Sequence, residues 1–196
     1  MTMPLSGLRV AERLRQALPE AVAEASETAV VVKADSLLEA AGLLKATPDV
    51  ALDYLVSITG VDYYDYFEVV YHLASITHNH SLVLKARCFG RENPIVPSVT
   101  SLWRGADLQE REVYDLMGIA FAGHPNLKRV LLWDSFEGHP LRRDNLGGPK
   151  TLPRIVASWK VGPEWVQRLA EGLPQEAALN PGPQGPGPNS GEGDGH

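Results

Sequence analysis

Two copies of a Gly-His-Pro unit pose the chemical question for this chain: Gly123-His124-Pro125 and, 15 residues on, Gly138-His139-Pro140. Glu110, Glu112 and Asp115 stand a little upstream. Imidazole and carboxylate are donor types that hold a hydrolytic metal. A small metal-dependent hydrolase using His124, His139 and Asp115 is therefore one reading, which stoichiometric bound zinc or iron would support. The spacing weighs against it, because no His-x-x-x-His pair places two imidazoles on one helical face. Nucleophilic chemistry has less behind it still. Ser135 lies beside acids in a loop and lacks the Gly-x-Ser-x-Gly elbow. No Gly-x-Gly-x-x-Gly follows a strand, and Gly147-Gly148-Pro149-Lys150 lacks the helix start that a phosphate cradle requires. His78 and His80, within Thr77-His78-Asn79-His80, read as a solvated hairpin tip.

A second reading uses the same residues as a shaped ribbon. Asp107-Leu108-Gln109-Glu110 is a capping-box pattern that would start a helix. Leu108, Val113, Leu116 and Met117 would face inward, and Gly118 would close the helix as its C-terminal cap. Arg111 and Asp115, four apart, would pair along the outer surface and leave Glu112 for another basic group. Beyond the helix, each proline pushes its histidine out of helical geometry, and each glycine frees the backbone just before it. Each bend ends in a leucine and basic residues, Leu127-Lys128-Arg129 and Leu141-Arg142-Arg143. Paired arginines suit carboxylate forks on a facing protein surface. The expectation is a rigid, twice-bent basic strap that grips another polypeptide. Replacing Arg142 and Arg143 by alanine should then weaken assembly and leave the isolated chain folded.

The elements that must position this strap are legible upstream. Residues 5–18 predict an amphipathic helix with Leu8, Ala11, Leu14 and Leu18 on its apolar face, stopped by Pro19. Thr28–Val32 reads as a buried strand. Ser36 can cap a second helix that buries Leu37, Leu38, Ala41 and Leu44. Three strands follow, Tyr54–Val61, Phe67–Ile76 and Ser81–Phe89; the middle one alternates, with Phe67, Val69, Tyr71 and Leu73 on one face. A helical region from about Ser98 to Met117, interrupted near Gly105, completes the order. Helix, strand, helix, strands and helix predict a two-layer α+β fold, with helices on one mostly antiparallel or mixed sheet and an extended C-terminal arm.

The predicted organisation is an α+β globular domain over residues 1–118, a partner-binding arm over 119–173 and a tail over 174–196. In the arm, Phe121, Leu131, Leu132, Trp133, Phe136 and Leu141 need burial that one small core does not offer. Trp133, Trp159 and Trp165 suit interface anchors or ordinary core positions. The tail has 5 Pro and 6 Gly in 23 residues and no aromatic side chain, a composition expected to stay disordered unless bound.

Composition narrows the partners. A net charge of -6 argues against nucleic acid as a ligand. Cys88 is the single cysteine, too few for an intrachain disulfide or for an iron–sulfur cluster. No apolar run approaches the ~18 residues of a membrane span, and Arg9, Glu12, Arg13 and Arg15 break any signal-peptide core. The expectation is a cytoplasmic protein that meets a membrane only through partners.

Glu110-Arg111-Glu112-Val113-Tyr114-Asp115-Leu116-Met117-Gly118-Ile119, followed by Phe121, Gly123-His124-Pro125, Leu127 and Arg129, resembles the signature of the C subunit of respiratory complex I, the NADH-quinone oxidoreductase. Gly138-His139-Pro140-Leu141-Arg142-Arg143-Asp144 is similar to that family's second block. The similarity runs over roughly residues 10 to 145 and is most specific over 107–144. It departs at Asn145-Leu146-Gly147-Gly148, where the family commonly places an aromatic residue.

The resemblance implies a structural subunit of the peripheral arm, at the cytoplasmic face of the cell membrane. It would pack against the large quinone-site (D) subunit, with cluster-bearing subunits nearby. Flavin and iron–sulfur clusters belong to those partners, and no cofactor, metal or catalytic step is expected of this chain. NADH oxidation, quinone reduction and ion translocation are the work of the whole. The expected interface or strap residues are Glu110, Arg111, Glu112, Asp115, His124, Pro125, Arg129, His139, Pro140, Arg142, Arg143 and Asp144. The equivalent subunit of a membrane-bound hydrogenase, or of a quinone reductase fed by another donor, stays open as an alternative.

Overall fold

The computed structural model describes residues 2–145, all within one compact unit. The remainder of the predicted arm, Trp159, Trp165, the Gly147–Lys150 segment and the tail lie outside the described residues.

Three long strands form the centre of the sheet: β4 (Tyr54–Asp62), β5 (Tyr66–Ser75) and β6 (His80–Phe89), antiparallel in sequence. They form where β-branched and aromatic residues alternate, and the turn between β5 and β6 places Asn79 at a positive φ of 53°. β3 (Ala29–Lys33) runs parallel to β6, and β2 (Val22–Ala25) adds an antiparallel outer strand to β3. The order is β2-β3-β6-β5-β4, and the short β1 (Met3–Pro4) joins β6 beside its start. The sheet is therefore mixed, and the predicted α+β class holds.

Period-2 alternation decides what each face does. Phe67, Val69, Tyr71 and Leu73 of β5 are buried in one cluster with Leu82, Leu84, Ala86 and Cys88 of β6. Helix α1 (Gly7–Ala17) adds Val10, Ala11 and Leu14 to it, and α2 (Leu37–Ala46) adds Leu37, Ala40, Ala41 and Leu44. Leu8 and Leu38, predicted to face inward, lie on the exposed side. Val10 and Ala40 take their places in the buried stripes, beside Ala11 and Leu14 in α1 and Leu37, Ala41 and Leu44 in α2. Ser36 makes no side-chain cap; a 3-10 turn (Ala34–Ser36) leads into α2 instead. On the opposite face of the sheet Glu68 is buried between Lys85 and Arg87, at 2.9 and 3.1 Å.

Turns within residues 100–105 precede the third helix, α3 (Ala106–Met117), which begins later than the predicted region. It packs along β4, where the Gln109 side-chain carbonyl accepts the Ile58 amide at 2.7 Å. Gly118 closes it in the left-handed conformation, φ 68°, as the sequence predicts. The chain then forms β8 (Ala120–Ala122), parallel to β7 (Ile95–Pro97) in a second, two-stranded sheet. Ile119 and Phe121 enter the core by this route. Too short for a periodic pattern, β7 and β8 left no sequence signal.

Candidate functional site: α3 and its strap

The predicted strap is present over residues 123–145, and it is fastened to its own domain. Asp115 is the main anchor. Its side chain is fully buried in the last turn of α3. One carboxylate oxygen accepts the consecutive amides of Val130, Leu131 and Leu132 at 3.0, 2.8 and 2.9 Å. The other accepts Arg129 at 2.8 Å, and the same guanidinium donates to the Gly138 carbonyl at 3.1 Å. Burial disfavours the charge of Asp115, but the three amides and Arg129 outweigh it and hold the carboxyl below its ordinary range.

The predicted Arg111–Asp115 pair does not form. Arg111 instead donates to the carbonyls of Lys128 and Arg129 at 3.1 and 3.2 Å. Asp115 is turned to the strap because a buried carboxylate needs more donors than one exposed side chain supplies.

The capping box fails as well. Gly105 occupies the N-cap position of α3 and makes no side-chain cap. Glu110 is fully buried and accepts the Ser98 hydroxyl at 2.6 Å and the Val99 amide at 2.7 Å. Burial pushes its carboxyl up, partly offset by those two donors. Leu108, predicted inside, is 60% exposed. The helix is rotated so that Glu110, Val113 and Met117 point inward, and the inward glutamate ties the turn before the helix to its first turns.

The two histidines do separate jobs. His124 donates from Nε2 to the Asp107 carbonyl at 3.1 Å and accepts the Asn126 amide on Nδ1 at 3.0 Å. Both ring nitrogens are used, one as donor and one as acceptor. His139 donates from Nδ1 to the Asp115 main-chain carbonyl at 2.9 Å. Burial, with Arg142 and Arg129 close by, holds its pKa below the usual histidine value. The Asp115 carboxylate meets amides and Arg129, so the three residues of the hydrolase reading do not converge on a point. Among the described residues no cluster of His, Cys, Asp or Glu could hold a metal ion.

The second bend is locked at the far end of α3. Arg142 donates to the carbonyls of Met117, Gly118 and Arg91 at 2.6, 3.2 and 2.9 Å. The Leu141 amide reaches Leu116 at 3.0 Å. Asp62, buried at the end of β4, receives both terminal nitrogens of Arg91, at 2.8 and 3.0 Å, and the Arg143 amide at 2.9 Å. Asp144 then accepts Arg91 at 3.0 Å. Asp62 stays ionised to low pH, chiefly because of Arg91 and against the cost of burial.

Of the predicted strap residues, Arg143, Asp144, Glu112 and Pro125 are exposed, and Pro140 is half-buried. The predicted grip of the arginine pair divides: Arg142 faces the chain's own carbonyls and Arg143 faces outward. Sequence reading missed Arg91 and Ser98 altogether. An arginine after a strand and a serine before a helix carry no spacing signal; only the fold brings them to Asp62 and Glu110.

The fold and the site together define an α+β core whose third helix is fastened to the ribbon that follows it. The sequence profile described as "Respiratory-chain NADH dehydrogenase, 30 Kd subunit" matches residues 30–150, and the chain belongs to that family. It is similar to the NADH-quinone oxidoreductase C subunit of Roseiflexus sp. (strain RS-1), 42% identical over 149 residues, covering 72% of this chain and 85% of that one. The C subunit of the same enzyme from Moorella thermoacetica is 46% identical over 118 residues, covering 59% of this chain and 78% of its own length. Among solved structures, a chain of the membrane-bound sulfane sulfur reductase, an archaeal respiratory membrane complex, superposes with a TM-score of 0.56 at 22% identity, covering 79% of this chain and 91% of that one. That likeness shows a shared fold.

Proposed function

We propose that this chain is a structural subunit of the peripheral arm of an NADH-quinone oxidoreductase, at the cytoplasmic face of the membrane and seated against the large quinone-site (D) subunit. The observation that carries the reading is the family match over residues 30–150, which includes the whole strap. Relatives of 42–46% identity that are NADH-quinone oxidoreductase subunits support the nicotinamide-fed machine over its hydrogenase-like counterparts. In this reading the chain performs no chemical step and carries no cofactor; NADH oxidation and quinone reduction take place on its partners. Arg111, Asp115, Arg129, His139 and Arg142 fasten α3 and the strap to each other, which suits a rigid docking part. No helix among the described residues is long and apolar enough to cross a membrane; in this reading the chain meets the bilayer through its partners.

The strap supports the docking role by what it leaves outside. Leu131 and Leu141 are 61% and 58% exposed although the backbone beside each is pinned to α3. Rigidly held apolar side chains are cheap to bury on a partner, since little freedom is lost on binding. The test is purification of the tagged chain from membranes in mild detergent, with mass-spectrometric identification of what accompanies it. Flavin- and cluster-bearing subunits together with a quinone-site subunit are expected. Recovery of the chain without redox subunits would overturn the proposal, and a nickel-site subunit in place of the nicotinamide module would move it to the hydrogenase type.

A further inference from the structure

We infer that the cleft between Tyr63, Tyr64 and Arg143 receives an acidic segment of a neighbouring subunit, with Arg143 as the cation that selects it; this rests on the proposed function. The cleft measures about 410 Å³ and is lined by Tyr63, Tyr64, Arg91, Arg143 and Asp144. Its walls come from three separate parts of the chain: the turn after β4, the turn after β6 and the end of the strap. Buried Asp62 joins them, through Arg91 and the Arg143 amide. The end of the strap is therefore part of the cleft wall.

Charge identifies the occupant. Asp62 and Asp144 are both engaged by Arg91, which leaves that guanidinium no carboxylate to seek. The Arg143 guanidinium makes no hydrogen bond or ion pair among the described residues and stands exposed at the rim. A planar fork with free donors pairs best with a carboxylate, in two parallel hydrogen bonds.

The neighbours specify a polypeptide. Tyr64 is 89% exposed, and Tyr63 stacks on Tyr66 at 4.7 Å between ring centres, continuing to Phe89, itself 73% exposed. Tyrosine and arginine together are the side chains that anchor protein interfaces. An anionic lipid surface would instead call for several basic residues at one place, whereas the cleft has a single unengaged cation.

The experiment places the photo-crosslinking amino acid p-benzoyl-phenylalanine at Tyr64 in the intact membrane complex and identifies the adduct by mass spectrometry. An adduct with an Asp- or Glu-containing peptide of another subunit is expected. Arg143→Glu should lower its yield about tenfold, and Arg143→Gln should lower it in the same direction. Arg143→Gln should leave the melting of the full-length chain close to wild type, because the guanidinium makes no hydrogen bond or ion pair among the described residues; Arg143→Glu sets a carboxylate near Asp62 and Asp144 and should lower it, so the glutamine variant is the one that separates docking from stability. An adduct only with lipid, with a second copy of this chain or with a peptide lacking carboxylates would overturn the inference. So would no adduct in a complex that retains the chain, or a yield indifferent to Arg143. A complex that excludes the chain would overturn the proposed function as well, which separates the two failures.

Discussion

Asp115 accepts the main-chain amide of Leu131 at 2.8 Å, and that bond joins the last turn of α3 to the apex of the strap. A carboxylate is out of place there by helix electrostatics, since the C-terminal end of a helix favours cations and α3 has no basic residue in its last turn. The amides of Val130 and Leu132 and the guanidinium of Arg129 supply the missing positive charge. Asp115→Ala should therefore destabilise the full-length chain by about 3–5 kcal/mol, the cost of breaking a buried ion pair. Asp115→Asn should lose less, because one amide oxygen can still accept. Urea denaturation measures both, and a loss below about 1 kcal/mol for the alanine variant would show that the strap holds without its anchor.

Acid should weaken the fastening of the strap. Asp62 and Asp115 are both held below the ordinary carboxylate range, Asp62 chiefly by Arg91 and Asp115 by its three amides and Arg129 acting against burial. A depressed folded-state pKa gives stability that is complete above the unfolded value, about 3.9, and is lost as pH falls through the folded one. Stability of the wild-type chain should thus fall as the pH drops below about 4, while an Asp62→Asn, Asp115→Asn double variant, already weaker at pH 7, should show a flatter acid limb. Denaturation midpoints between pH 7 and pH 2 decide it. Parallel curves would mean that other carboxylates govern the acid transition.

Much of this architecture could be read from residue order. Alternation in β5 separates Phe67, Val69, Tyr71 and Leu73 from the opposite face, and period alone reveals it. Gly118 was equally legible, because a glycine behind an amphipathic helix has one common use. The site was misread where a polar residue turned inward. Asp107 with Glu110 satisfies the letter of a capping box, but Glu110 is needed by Ser98 and Val99, and a local pattern cannot reveal a buried partner eleven or twelve residues away. Arg111 and Asp115 have the spacing of a surface pair, yet each bonds the strap instead. The dense charge of the strap suggested a grip on another polypeptide; that several of these groups bind within the chain depends on long-range contacts such as the Arg143 amide to Asp62, 81 residues apart.

Glu110 should behave in the opposite sense to Asp62. Burial raises its carboxyl above the ordinary value, so its contribution to stability is complete below about pH 4.3 and declines as the pH rises through the folded value. Glu110→Gln removes that penalty and keeps an oxygen for the Val99 amide, while the Ser98 hydroxyl can turn to Thr100, 2.8 Å away. At pH 8 the glutamine variant should be at least as stable as wild type, whereas Glu110→Ala should lose about 2–3 kcal/mol through the unsatisfied Val99 amide and the vacated volume. Paired melts at pH 5 and pH 8 check it; an advantage of glutamine confined to pH 5 would reverse the sign assigned here.

Gly118 is constrained twice. Its φ of 68° disfavours any side chain, and a Cβ there would lie 2.7 Å from Arg142 Nη2 and closer still to the His139 ring. Gly118→Ala must therefore push away the two strap residues that grip the end of α3. A loss of about 2–3 kcal/mol is expected, more than the roughly 1 kcal/mol that left-handed geometry alone costs. Limited proteolysis should show earlier cleavage between residues 123 and 145, with β4, β5 and β6 still protected. Uniform sensitivity throughout the chain would instead indicate a global effect.

Arg142 and Arg143 should part company when they are replaced one at a time. Arg142 supplies donors to the carbonyls of Met117, Gly118 and Arg91, while Arg143 gives Asp62 its amide and a nearby positive charge but no side-chain hydrogen bond. Arg142→Ala leaves three carbonyls without those donors, and charged hydrogen bonds are worth about 1.5–3 kcal/mol each before solvent compensates the exposed ones. A net loss of about 2–3 kcal/mol in the isolated chain is expected, with earlier proteolysis of the strap. Arg143→Ala keeps the amide and should leave the denaturation midpoint within about 0.5 kcal/mol of wild type, so any effect on assembly must come from the outward guanidinium. Equal destabilisation by the two single variants would mean that Arg143 is also part of the internal fastening, and the division of labour between the adjacent arginines would be wrong.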